Sequence, residues 1–259
     1  MPLATPSPST LATPETIRAL EERAFNAWPA RQSVLHSGWV FRLSGGFTKR
    51  ANSVNALESG ASFSGVRAAA EALYARHGLP AVFRISPLAP AAADQELAAA
   101  GYTHFDPSLV LTAGLDAAQA HVAVAIDSAP TPAWLDGLAV ANGVRPEDHA
   151  THHTMVRAIA LPCAFATLND AEGTPIGFGL AVLERGAIGF YDIVIDPALR
   201  GQGHGRTLMR ALLQWGREAG AASAYLQVRA QNEAARRLYA GLGFGEVYGY
   251  HYRIPPTKA

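Results

Sequence analysis

The chain holds 259 residues, 49% of them hydrophobic and only 16% charged, enough apolar material for one large or two small cores at roughly 150 residues per domain. Its 21 lysines and arginines are balanced by 21 aspartates and glutamates, which leaves neither the basic footprint of a nucleic-acid binder nor the polybasic patch of an anionic-membrane binder. The single cysteine, Cys163, excludes an intramolecular disulfide, fits a reducing, cytoplasmic setting, and reads as a small buried apolar side chain.

Residues 1–13, rich in Pro, Ser, Thr and Ala, have no basic n-region and no apolar h-region, so a flexible tail rather than a signal peptide is expected. No apolar run approaches the ~18 residues of a membrane span. From Pro14 the apolar residues Ile17, Leu20, Ala24, Phe25 and Trp28 fall at helical spacing, with Thr13 as the cap. Residues 39–43 read as a strand stopped by Ser44-Gly45-Gly46. The polar stretch 47–59, dense in Lys49, Arg50, Asn52 and Asn55, is either a substrate-side or inter-domain segment or a solvated loop. A helix over 65–77, a strand over 81–85, a helix over 91–100 and a strand or strand pair over 102–112 complete a first part, 14–127.

The second part, 128–259, opens with Pro130-Thr131-Pro132 and two helices, 132–141 and 146–160. Strands follow over 165–169, 176–184 and 187–195, the last two joined by the two-residue connection Arg185-Gly186. A loop over 197–205, a helix over 206–218, a strand over 224–228, a helix over 233–242 and a strand over 245–254 close the chain. This is an α+β order. Ala98-Ala99-Ala100-Gly101-Tyr102 echoes Tyr239-Ala240-Gly241-Leu242-Gly243-Phe244. The echo marks either a duplicated fold or the common helix-Gly-aromatic ending.

The chemistry concentrates between the strand ending at Ile195 and the next helix, in Asp196-Pro197-Ala198-Leu199-Arg200-Gly201-Gln202-Gly203-His204-Gly205-Arg206. Glycines on alternate positions let backbone amides approach a ligand, and the helix adds free N–H groups and a positive dipole end. A P-loop needs Gly-Lys-Ser/Thr, whereas Arg206-Thr207 follows Gly205. The dinucleotide fingerprint needs other glycine spacing in a parallel unit.

The segment resembles the pyrophosphate motif Arg/Gln-x-x-Gly-x-Gly/Ala of the GNAT superfamily of N-acetyltransferases. Around it stand the family's apolar strand ending in Asp-Pro, here Ile193-Val194-Ile195-Asp196-Pro197, and later its Asn, Leu-Tyr and Gly-Phe, here Asn232, Leu238-Tyr239 and Gly243-Phe244. The resemblance implies a mixed, mostly antiparallel twisted sheet flanked by helices, in tandem, with 14–127 a degenerate copy and 128–259 the catalytic one. It also implies that strand 187–195 splays from 224–228 to admit acetyl-CoA. Backbone groups of Ile193, Val194 and Ile195 would then hold the pantetheine arm. Arg200, Gly201, Gln202, Gly203, His204, Gly205 and Arg206 would hold the pyrophosphate, and Asn232 and Tyr239 would contact the cofactor.

In that reading Tyr239 is either the acid for the departing thiolate, a donor only below its pKa of about 10, or a packed aromatic. Asp192 is the first candidate base, facing away from Tyr191 if the strand alternates; Glu184, at the end of the neighbouring strand, is a second. His149, His152 and His153 read as surface histidines, with no metal expected. The implied reaction is acetyl transfer to a small-molecule amine by a monomer or homodimer. The alternatives are a protein or peptide acceptor, or a non-catalytic CoA-binding regulatory module.

Overall fold

The computed structural model describes residues 12–115 and 124–256; most of the expected tail, 1–11, lies outside them. The first half begins with α1 (Pro14–Ala27), where Thr13 Oγ1 accepts from the Thr16 amide and proline stands in the first turn, whose amide needs no partner. It continues through β1 (Gln32–His36), β2 (Trp39–Leu43), β3 (Val54–Ala56), α2 (Val66–Arg76), β4 (Phe83–Ile85), α3 (Ala91–Ala99) and β5 (Thr103–Gly114). The second half holds β6 (Ala125–Asp127), which lies in the sequence-derived first part but pairs with β7 of the second half, then α4 (Pro132–Ala141), α5 (Ala150–Arg157), β7 (Cys163–Asn169), β8 (Pro175–Glu184), β9 (Ala187–Ile195), α6 (His204–Glu218), β10 (Ser223–Arg229), α7 (Glu233–Ala240) and β11 (Gly245–Ile254).

With the short β6 set aside, each half runs an opening helix (a pair, α4 and α5, in the second half), three antiparallel strands, helix, parallel strand, helix, long final strand. α3 and α7 both give way to their last strand through a left-handed glycine, Gly101 or Gly243. The fold is therefore a tandem, and the helix-Gly-aromatic echo stands at the corresponding place in each half. Three strands escape the sequence pattern. β1 and β6 are largely exposed and short, and β3 lies inside the polar stretch with its asparagine, Asn55, buried.

The eleven strands of the described residues form one sheet in the order β1-β2-β3-β4-β11-β5-β10-β9-β8-β7-β6. The final strands are exchanged. β11, from the second half, pairs with β4, and β5, from the first, pairs with β10. β5 and β11 also pair with each other at the centre. The helices cover this sheet through amphipathic faces; α6, for example, buries Leu208, Met209 and Leu212 and leaves Glu218 in water.

Ion pairs fasten the exchange. Glu21 of α1 and Arg84 of β4, both 1% exposed, form a two-pronged pair. The Tyr248 hydroxyl of β11 donates to Glu21 over 2.5 Å, and the Arg84 guanidinium lies 3.6 Å from the Tyr250 ring centroid. Removing one partner of such a buried pair costs about 3–5 kcal/mol, because the other charge is left stranded.

Nearer the surface, Asp94 of α3 accepts from Arg253 Nε (2.8 Å) and Nη2 (2.9 Å), and lies 2.8 Å from His251 Nε2. These partners, Arg253 foremost, hold the Asp94 carboxyl down at about 2 against an ordinary 3.8. A carboxyl depressed on folding stabilises the native state above its unfolded pKa and loses that contribution as pH falls through the folded one. Urea unfolding of wild type and Asp94→Asn should therefore differ at pH 6 and converge between pH 4 and 2. Equal stabilities at pH 6 would show that this clasp carries nothing.

Candidate active site

β9 and β10 run side by side only from Ala187↔Ser223 to Phe190↔Leu226. Beyond that point they part, as the resemblance implied, and a cavity of about 620 Å³ opens at the end of β9 and the start of α6. Its wall includes Ile193, Val194, Ile195, Arg200, Gly201, Gly203, His204, Gly205, Arg206, Asn232 and Tyr239. Of the residues expected to hold a cofactor, Gln202 alone is not in that wall. Asn142, after α4, joins it without any signal in the sequence.

The loop geometry follows from its glycines. Gly203 (φ +90) caps α6 from the left-handed region, and its carbonyl accepts from the amides of Arg206 and Thr207. The first amides of a helix have no partner inside it, so those at the start of α6 are available to an anion. A Cβ at Gly201 or Gly203 would meet nothing within 4 Å, so the loop is an open cradle. Arg200 turns inward, its Nε donating to the Ile195 carbonyl over 3.1 Å. Asn232 Oδ1 accepts from the Ala235 amide (3.1 Å) and so caps α7. Tyr239, on α7, packs edge-on to Phe244. Burial pushes its phenol up to about 12, so the hydroxyl keeps its proton at any pH the fold normally meets.

Asp192 sits on a bulge. Phe178 pairs with Val194 but Leu180 with Tyr191, so β9 carries one residue more than β8 there, and Asp192 takes φ +52. The expected alternation fails at this point. Tyr191 stacks on Trp28 (5.7 Å, 13°), while Asp192 Oδ2 meets His152 Nε2 at 2.7 Å, and that same His152 ring stands 5.8 Å from Trp28. Both side chains thus reach toward α1 and α5 instead of opposite faces. Glu184 is engaged elsewhere, by Asn26 and Arg185 at the hairpin turn.

The histidines are not a surface feature. His149 is 7% and His152 1% exposed, with Phe47 edge-on to both. Burial first, then mutual repulsion, lowers the pKa of His149 and His153. One nitrogen from each of the three lies within 4.8 Å of the others. His149 and His152, however, are stacked, with planes 18° apart, which sets their in-plane lone pairs side by side rather than aimed at a common ion. Cys163 is buried and its thiol pushed up to about 11, as an inert apolar residue should be.

On the other side of Asp192 a second cavity, of about 370 Å³, lies between the halves. The first half supplies Trp28, Thr48, Lys49, Arg50, Asp106 and Ser108, and the second Asp192, Gln227, Arg229, Tyr250 and Tyr252. The polar stretch singled out in the sequence thus stands at both an inter-half boundary and a cavity wall.

Residues 14–253 match the sequence profile of the family described as "Probable histone acetyltransferase Rv0428c C-terminal". An uncharacterized N-acetyltransferase, YobR, of Bacillus subtilis is 30% identical over 93% of this chain and 99% of its own. The ribosomal-protein-bS18-alanine N-acetyltransferase of Escherichia coli is 32% identical over 38% of this chain and 74% of its own. Among solved structures, a GCN5-related N-acetyltransferase from Kribbella flavida superposes with a TM-score of 0.69 at 16% identity, covering 93% of this chain and 96% of that one. A tandem GNAT protein from the clavulanic acid biosynthesis pathway gives 0.60 at 14% identity, covering 96% and 92%.

Proposed function

The chain belongs to the GNAT superfamily of N-acetyltransferases, and on that premise we propose that it moves an acetyl group from acetyl-CoA to a primary amine of a small molecule, by direct attack in a ternary complex. One observation carries this reading: Asp192 and Ile193, neighbours on the β9 bulge, line two different cavities, one on each side. A cleft ending in an open amide cradle suits a pantetheine arm and its pyrophosphate. The cavity between the halves, about 370 Å³, falls in the usual size range of small-molecule sites. The bS18-alanine N-acetyltransferase is named for a protein acceptor, so a protein N-terminus is the second reading, and peptide acceptors belong in the same assay.

Acetyl-CoA supplies the acyl group as a thioester. The amine must lose a proton as it attacks, and Asp192, fixed by its hydrogen bond from His152, accepts it. Backbone N–H groups at the bulge stabilise the charge that develops on the thioester oxygen; one positioned donor of this kind is worth about 3 kcal/mol. The N–C bond forms, the C–S bond breaks, and the Tyr239 phenol protonates the thiolate. Holding amine and thioester in line across the bulge supplies much of the remaining acceleration.

Acetyl-CoA should raise the thermal midpoint of the wild type. Gly203→Val should abolish that rise, whereas Gly220→Val should keep it. Gly220 (φ +86) has the same strained backbone and open surroundings at the far end of α6, so it separates strain from loss of the cradle. A shift preserved in Gly203→Val would remove the phosphate-loop assignment.

With an amine panel and thiol release as readout, Asp192→Asn should lower kcat/KM by roughly 100-fold or more. Asparagine tolerates the left-handed backbone there, so the fold should survive. Tyr239→Phe should cost turnover a comparable factor while acetyl-CoA affinity holds. No basic limb from the phenol should appear below pH 11, since its pKa is about 12. Wild-type turnover in both variants would show that neither group moves a proton.

A further inference from the structure

The cavity between the halves holds more positive charge than its protein neighbours neutralise. Lys49, Arg50 and Arg229 line it with only Asp106 and Asp192. Lys49 Nζ (3.5 Å) and Arg229 Nε (3.0 Å) share the Asp106 carboxylate, and Asp192 is engaged by His152. Arg50 is left over. Among the described residues its guanidinium forms no ion pair, and its Nε is shielded from water with no hydrogen-bond acceptor. The aromatic faces of Tyr191, at 5.7 Å, and Trp28, at 6.0 Å from ring centroid to guanidinium carbon, attend it. Arg50 is partly exposed, but a cation with a shielded nitrogen and no anion beside it is unfavourable, and Arg is the side chain whose planar fork matches a carboxylate.

The backbone around Arg50 is pinned in a way that an idle loop would not need. Asn52 accepts from the Ser44 (2.7 Å) and Gly46 (3.0 Å) amides and donates to the Phe47 (2.7 Å) and Thr48 (2.9 Å) carbonyls. Arg42 donates to the Arg50 carbonyl over 2.7 Å, and the Trp28 indole donates to Thr48 Oγ1 over 3.1 Å. Among the described residues, five other than glycine have positive φ. Ser37 and Arg185 form hairpin turns, and the other three, Thr48 (φ 55), Asp106 (φ 55) and Asp192 (φ 52), all line this cavity. For a β-branched residue such as Thr48 that conformation is a genuine outlier. Backbone strain of this sort persists where surrounding structure enforces it and gathers at ligand sites.

We propose that the acceptor is an amino acid: a primary amine whose own carboxylate is clamped by Arg50 while the nitrogen is presented to Asp192. Trp28, Tyr250 and Tyr252 flank the carbon skeleton between the two charged ends. This rests on the acetyl-transfer reading above and narrows its substrate class. It also gives the first half a role, since Arg50 comes from the copy that lacks the Gly-rich loop.

The test pairs amino acids with the amines that result from removing their carboxyl group: tryptophan with tryptamine, lysine with cadaverine, glutamate with 4-aminobutyrate. Thiol release from acetyl-CoA is followed for wild type, Arg50→Gln and Arg50→Lys. In at least one pair the carboxylated α-amine should be favoured in kcat/KM by at least about 30-fold, the scale of one desolvated charge pair. Arg50→Gln should erase that preference through the acceptor's KM, with KM for acetyl-CoA unchanged. Arg50→Lys, which keeps the charge but not the fork, should recover part of it.

Calorimetry on the CoA complex supplies a second readout. The N-acetyl amino acids should bind wild type and fail to bind Arg50→Gln. Equal turnover of both members of every pair, an acceptor KM indifferent to Arg50, or no N-acetyl amino acid bound would overturn the proposal. In those cases acetyl transfer to other amines still stands. That reading falls separately, if acetyl-CoA neither binds nor releases thiol with any amine or peptide.

Discussion

Neither half of this chain completes its own sheet. β5 leaves the first half to lie along β10, β11 leaves the second to lie along β4, and the two meet at the centre. The unpaired edge that either half would expose alone is a row of unsatisfied amides and carbonyls, so the exchange ties the folding of one half to the other. The Glu21–Arg84 pair sits where that exchange is made and draws in Tyr248 and Tyr250 from β11. A buried ion pair adds little net stability beside an apolar substitute. Its geometric demand is strict, however, and here it fixes how β11 lies against α1 and β4.

The exchange also builds the second cavity. β5 carries Asp106 and Ser108 beside Gln227 and Arg229 of β10, and β11 brings Tyr250 and Tyr252 over the same space. Two bulges shape it. One puts Asp192 out of the β8–β9 register, and the other lies in β5 where Phe105 pairs with Tyr252 and Ser108 with Tyr250. Each re-aims an aspartate that an unbroken strand would have sent elsewhere. The first half, which has no Gly-rich loop, thus supplies one wall of the cavity opposite the cleft of the second.

Much of this was legible in the sequence because the relevant signals are local. The ends of α4, β9 and β11 fall where periodicity and punctuation put them. The Gly-rich loop announces an open backbone turn at the start of α6, and all but Gln202 of the residues assigned to the cofactor gather around one cavity. The misses have a common cause in long-range packing. Alternation assumes an unbroken ladder, so it could not place Asp192. Three histidines in five residues look solvent-facing until Trp28, Phe47 and Trp134 close over His152. β3 is hidden because its buried polar residue, Asn55, bonds back to Ser53 rather than announcing a core. That Lys49 and Arg50 face a cavity depended on β5 and β11 trading places, and no local pattern records that trade.

The most direct test is a crystal structure of the chain with acetyl-CoA and no acceptor. The pyrophosphate is predicted to lie on the amides of residues 201–206. The pantetheine arm should run between the separated ends of β9 and β10, and the thioester carbonyl should sit at the bulge within reach of Asp192, facing the cavity between the halves. Acetyl-CoA found instead against the first half, or bound with its thioester pointing away from Asp192, would contradict the account.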